Sequence, residues 1–163
     1  MSDAQTGHEK TLTGLLPALA GANLIYGLGM FESGVTMSYG QLVMDNEFAG
    51  MIKHAVRGIP INDETLAVDV IREVGPFNHF LSHEHTFEYM RSEQTHPEFI
   101  DRRIREEWEK LGRTDIYHRA WEKARHILEH HKPEPLPPDV LATLRSIVEE
   151  TEKELGVSKR GRK

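Results

Sequence analysis

Apolar residues recur at helical spacing along most of the chain, and one short stretch breaks the pattern. Over residues 9–20, Leu12, Leu15, Leu16 and Leu19 form one apolar helix face, with Pro17 as a kink and Gly21 as a stop. The run Asn23-Leu24-Ile25-Tyr26 is too short and too closely bounded by glycines for a helix, and predicts a fully buried strand. A glycine-rich loop, Gly27-Leu28-Gly29-Met30-Phe31-Glu32-Ser33-Gly34, follows at once. Ligands of α/β folds sit just past the carboxyl ends of parallel strands, so this loop is the first candidate for function. The pattern yields no second convincing strand. Unpaired backbone groups are costly to bury, so the sheet partners are expected from outside this chain.

Helices fill the remainder. Ser38-Tyr39-Gly40-Gln41 has the form of a capping box, opening a helix that runs to about Arg57 and stops at Gly58. Leu42, Met44, Phe48, Met51, Ile52 and Ala55 lie on its apolar arc, and Asp45 falls inside that arc. A carboxylate there needs a partner, either as a structural ion pair or as a ligand-facing group. Asp63 is expected to cap a helix over residues 64–74, with Leu66, Val70, Ile71 and Val74 inward and Gly75-Pro76 as its end. A further helix is expected from Pro97, with Ile100, Ile104, Trp108 and Leu111 in register and Gly112 closing. Another starts after Thr114 or Asp115 and carries Ile116, Ala120, Ala124, Ile127 and Leu128. Trp108 and Trp121 are expected to pack on each other or on a partner, and His126, His130 and His131 to complement the dipole of the last turn. A stiff proline segment at residues 133–138 precedes a last helix over residues 139–155. There Leu141, Leu144, Val148, Thr151 and Leu155 make a narrow docking stripe.

Composition narrows the classes. The 163 residues carry a formal net charge of -6, which argues against a general nucleic-acid binder. The basic end, Lys159-Arg160-Gly161-Arg162-Lys163, reads as a solvated tail. Without cysteine there are no disulfides or thiolate sites, and without a long apolar run or leader pattern a cytoplasmic location is expected. His79, His83 and His85 gather near Glu84, but Ser82 reads as an N-cap between the first two and the spacing misses the His-Glu-x-x-His template, so no metal site is assigned.

Several contiguous stretches resemble the carboxyl-terminal part of the trimethylamine methyltransferase family, cobamide-dependent enzymes that include pyrrolysine-containing and glycine betaine members. They are Asp3-Ala4-Gln5 with Glu9-Lys10-Thr11, Gly21-Ala22-Asn23-Leu24-Ile25-Tyr26-Gly27, Glu32-Ser33-Gly34, Ser38-Tyr39, Gln41-Leu42-Val43-Met44-Asp45-Asn46-Glu47, Asp63-Glu64-Thr65-Leu66-Ala67, Glu73-Val74-Gly75-Pro76 and His83-Glu84-His85-Thr86. The resemblance implies a methyl transfer from a methylated amine, trimethylamine or glycine betaine, to cobalt. It also implies that no cofactor is bound directly and that the cobamide is carried by a partner corrinoid protein. It implies a mainly α chain that is the carboxyl-terminal segment of a (β/α)8 barrel with appended helices. Residues 1–132 then hold the barrel segment and following helices, 133–138 the connector, and 139–163 the terminal helix and tail.

A cationic substrate favours aromatic faces and carboxylates near the loop, so Tyr26, Gly27, Gly29, Phe31, Glu32 and Asp45 are the expected substrate contacts, with no residue given a catalytic role. A full barrel takes about 250 residues. The expected partners therefore include an upstream barrel half or further copies of the chain, and the chain alone is expected to be inactive. The pyrrolysine position is expected upstream, consistent with a gene read in two pieces at an in-frame amber codon or with a fragment that starts at an internal methionine. The alternative is a non-catalytic helical interaction module that binds through its unpaired strand and terminal stripe.

Overall fold

Asp3 sets the first helix. In the computed structural model, which describes residues 2–157, its carboxylate accepts the Thr6 N–H at 3.1 Å and starts α1, Ala4–Leu19. The helix begins earlier than the apolar stripe because its first turn is polar and is held by the cap, not by packing. Pro17 is accommodated inside α1, which ends in a Schellman motif: Gly21 N–H donates to Ala18 O, Ala22 N–H to Pro17 O, and Gly21 takes φ 85°.

Residues 23–26 overturn the expectation of a buried strand. They join no ladder, and Leu24 and Tyr26 are 80% and 82% exposed. Among the described residues no neighbouring strand offers them partners. The expectation of no second strand is corrected too. Inside the anticipated loop, β1 (Met30–Phe31) pairs antiparallel with β2 (Thr36–Met37), Met30 facing Met37 and Phe31 facing Thr36. A 3-10 turn, Glu32–Gly34, joins them, with Glu32 at φ 50° and Ser33 at φ 54°.

α2, Tyr39–Arg57, starts and stops where the pattern predicts. Ser38 accepts the Gln41 N–H at 3.3 Å, yet Gln41 does not complete the box, because its amide turns inward to Asp45. α1 packs on α2 with Gly14 buried; a β-carbon there would lie 2.8 Å from Ile52 Cδ1. Met44 of α2 joins Phe99 and Ala120 in a small core, flanked by Val43, Phe48, Ile116 and Tyr117.

The helix expected over residues 64–74 divides into α3 (Asp63–Leu66) and α4 (Val68–Val74) at Ala67, whose φ is 50°. Asn62, not Asp63, is the cap, exchanging hydrogen bonds with Thr65 in a complete capping box. Leu66 and Ile71, expected inward, are exposed. α5 (Glu84–Ser92) is capped by His83, not by Ser82.

Residues 97–104 are not helical, and α6 spans only Arg105–Lys110. The reason is local competition. Glu47 of α2 takes the N–H groups of Glu98, Phe99 and Ile100, the Arg119 guanidinium takes Phe99 O, and Asp101 accepts the Arg103 N–H in a side-chain turn. α7, Ile116–His130, follows Asp115, whose carboxylate accepts the His118 N–H at 2.7 Å. Trp121 lies against Gly40 at the start of α2, and Trp108 donates to Thr114 O at 2.9 Å.

The chain divides into two units between Glu129 and His130. In the second, α8 (Pro138–Glu154) begins on Pro138, and Leu141, Leu144 and Val148 are exposed, as are Val140 and Ile147 off the stripe. The basic tail at residues 159–163 lies outside the described residues. No helix among the described residues is long and apolar enough to cross a membrane. The chain is mainly helical.

Candidate functional site

A cleft of about 710 Å3 opens between α1, α2 and the segment that joins them. Of the six residues expected to contact substrate, Tyr26, Gly27, Phe31, Glu32 and Asp45 line it. Gly29 does not line the cleft and is buried, with φ 77°. A β-carbon on Gly29 would meet Met37 Cε at 2.9 Å and Leu42 Cβ at 3.0 Å, so packing and backbone both require glycine there.

The cleft is ordered by charge. Asp45, 5% exposed, forms an ion pair with Lys10 at 3.0 Å. Its carboxylate also accepts the Gly29 N–H at 2.8 Å and Gln41 Nε2 at 2.6 Å, while Ser2 Oγ donates to Gln41 Oε1 at 2.8 Å. Lys10 Nζ donates a further bond to Gly27 O at 2.7 Å. Of the two readings open for Asp45, the structural ion pair is the one these contacts make. Glu32, at the hairpin tip, accepts from Thr36 Oγ1. Glu9, Glu32 and Asp45 face the cleft against the single ammonium of Lys10, so its charge balance favours a cation. Aromatic faces from Tyr26 and Phe31 add to that preference.

Sequence reasoning missed Lys10. The signal was available: a carboxylate in an apolar arc demands a cation, and Lys10 is the one lysine of α1. Glu47 was also missed as an anchor, since capture of backbone amides in a distant segment leaves no local pattern.

The histidines disperse. His83 Nδ1 accepts the His85 N–H at 3.1 Å and its Nε2 lies 3.6 Å from Glu73, while His85 Nε2 bonds Glu64 O at 3.1 Å. His79 and His83 line a separate cleft of about 420 Å3. Among the described residues no three histidine or acidic side chains are placed to hold a metal ion. Two groups away from the main cleft are displaced in acidity. A hydrogen bond to Glu64 pushes the Tyr89 phenol up to about 12, and the Arg103 side chain beside Asp101 pulls that carboxyl down to about 2.

A family profile described as trimethylamine methyltransferase matches residues 1–156. The chain is 57% identical over 157 residues to a trimethylamine methyltransferase of Desulfitobacterium hafniense, covering 96% of this chain and 32% of that protein. It is 44% identical over 151 residues to a trimethylamine methyltransferase of Methanosarcina mazei, covering 93% of this chain and 30% of that protein. A glycine betaine methyltransferase of Desulfitobacterium hafniense is 34% identical over 157 residues, with coverage of 94% and 32%. The chain thus spans about a third of the length of these curated relatives. Matched along nearly its whole length, the chain belongs to the trimethylamine methyltransferase family.

Proposed function

We propose that this chain supplies one wall of the substrate site of a methylamine methyltransferase, within a (β/α)8 barrel completed by further polypeptide. The observation that carries the reading is the convergence of Tyr26, Phe31 and Glu32 on one cleft with an excess of carboxylates. A methylated ammonium ion is a cation coated in methyl groups. It is held by aromatic faces and balanced by a carboxylate through charge alone, with no hydrogen bond required. The exposed, unpaired residues 23–26 support the barrel context, since an extended apolar segment with open backbone groups is suited to receive neighbouring strands.

The groups in the cleft suit an ammonium ion and not cobalt, so the corrinoid is assigned to a separate protein. Its reduced cobalt supplies the methyl acceptor. The task of this chain is to bind the amine, orient one methyl group toward the acceptor and balance the charge until the neutral amine leaves. Trimethylamine and glycine betaine are the candidate substrates. Glycine betaine also carries a carboxylate, which the acidic cleft disfavours, so trimethylamine in its protonated form fits this wall better.

The test combines the chain with the upstream segment of a curated relative, a corrinoid protein and each amine, and follows the corrinoid absorption spectrum. The reading expects an amine-dependent conversion to the methylated spectrum. A spectrum unchanged by both amines refutes it.

A further inference from the structure

Lys10 and Asp45 meet at the back of the cleft and grip the same loop at two points. Lys10 Nζ donates to Gly27 O at 2.7 Å, and Asp45 accepts the Gly29 N–H at 2.8 Å. The two side chains come from different helices, α1 and α2, and are joined at 3.0 Å. Tyr26 precedes the gripped segment and Phe31 follows it closely, so the pair fixes where both aromatic residues leave the protein. Within the hairpin, Ser38 N–H donates to Gly29 O at 2.8 Å and Met30 N–H to Gly27 O at 3.2 Å, and the two side chains add the tie to α1 and α2. Residues 23–26 join no ladder, and β1 is two residues long. Asp45 already accepts from Lys10, Gly29 and Gln41, so its charge is met inside the protein.

We propose that Lys10 and Asp45 are the positioning pair of this cleft, fixing Gly27 through Gly29 and thereby the spacing of Tyr26 and Phe31, while Glu32 carries the carboxylate that faces a bound ammonium ion. The part concerning the ligand rests on the cation-site reading above. The part concerning the loop stands on its own geometry. The division of labour is physical. A carboxylate already neutralised by a lysine exerts little net attraction on a further cation, whereas Glu32 sits on an exposed hairpin tip and, among the described residues, accepts from Thr36 and from no lysine or arginine. Glu32 and Ser33 both occupy the left-handed region, which turns the chain between β1 and β2.

Amide hydrogen exchange on the full chain reads the tether. Lys10→Met is expected to speed exchange at Gly29 and Met30 by about tenfold, whereas Lys10→Arg, which keeps a charged donor, stays within about threefold of the parent. If Lys10→Met fails to fold by far-UV circular dichroism, Lys10→Gln, which keeps a neutral donor, takes its place with the same expectation. Exchange unchanged in the neutral variant overturns the proposal.

The second arm titrates tetramethylammonium into the barrel-completed protein. Affinity is expected to fall about tenfold in Lys10→Met and to return in Lys10→Arg, while Glu32→Gln lowers affinity with loop exchange unchanged. A loss of affinity in Lys10→Met without faster loop exchange overturns the positioning role. A parent protein that binds no tetramethylammonium refutes the cation reading and leaves the exchange arm to decide the tether.

Discussion

Replacing Glu47 with alanine should loosen a segment some fifty residues away. Its carboxylate accepts the N–H groups of Glu98, Phe99 and Ile100 at 2.6, 2.8 and 3.0 Å. Hydrogen bonds to a charged acceptor contribute about 1.5–3 kcal/mol each, but an exposed N–H released by the substitution regains water. Glu98 is exposed and takes most of that compensation, whereas Phe99 is 8% exposed and belongs to the core. Counting one to two bonds in full gives a loss of roughly 1.5–6 kcal/mol for Glu47→Ala. Arg119 still holds Phe99 O at 2.6 Å and Lys123 still pairs with Glu98 at 2.9 Å, so the segment should open locally before the helices unfold. Glu47→Gln keeps one acceptor oxygen and should cost about half as much. Urea unfolding followed by circular dichroism gives the total, and hydrogen exchange at residues 98–100 gives the location. A change under about 0.5 kcal/mol in Glu47→Ala, or a glutamine variant as damaged as the alanine one, refutes the reasoning.

Gly29→Ala should destabilise the chain by about 2 kcal/mol, because it combines a left-handed backbone at φ 77° with contacts at 2.9 and 3.0 Å; a urea midpoint equal to that of the parent contradicts this. Asp101, with its carboxyl held near 2 by Arg103, should stabilise the fold fully above about pH 4 and lose that contribution as pH falls through about 2. The stability difference between the parent and Asp101→Asn should therefore shrink across that window and stay constant above pH 5, as acid unfolding curves would register. His83→Ala should cost about 0.5–2 kcal/mol through loss of the cap on α5, with His83→Asn restoring most of it; equal unfolding midpoints for the two variants would remove the capping role.

Elements whose pattern was both periodic and locally capped were legible from the residues. α2 could be placed to its ends because Ser38 and Gly58 bracket a single apolar arc, and α8 to within a residue because a regular stripe follows the proline segment. The segment after Pro97 was misread for a different reason. Its apolar spacing is helical, but Glu47, Arg119 and Asp101 take the backbone groups that a helix would use, and two of these three lie far away in sequence. Residues 23–26 have the composition of a buried strand, yet burial depends on neighbours that the described residues do not provide. The cleft was largely legible, since Tyr26, Gly27, Phe31 and Glu32 follow one another closely and the resemblance pointed to a cation. Asp45 was legible as a carboxylate in need of a partner. Its partner, Lys10, is the one lysine of α1 and was within reach of the same reasoning, and the packing of α1 on α2 brings the two together.

The central claim is that the cleft behind Tyr26 and Phe31 receives a methylated ammonium ion. The most direct measurement labels the aromatic rings, completes the barrel with the upstream segment of a curated relative, and records ring proton shifts as trimethylammonium is added. The account predicts saturable shifts at Tyr26 and Phe31, with Tyr117 and Trp121, which pack on Gly40 outside the cleft, unmoved. Rings of Tyr26 and Phe31 that stay unmoved while trimethylammonium binds elsewhere would contradict it.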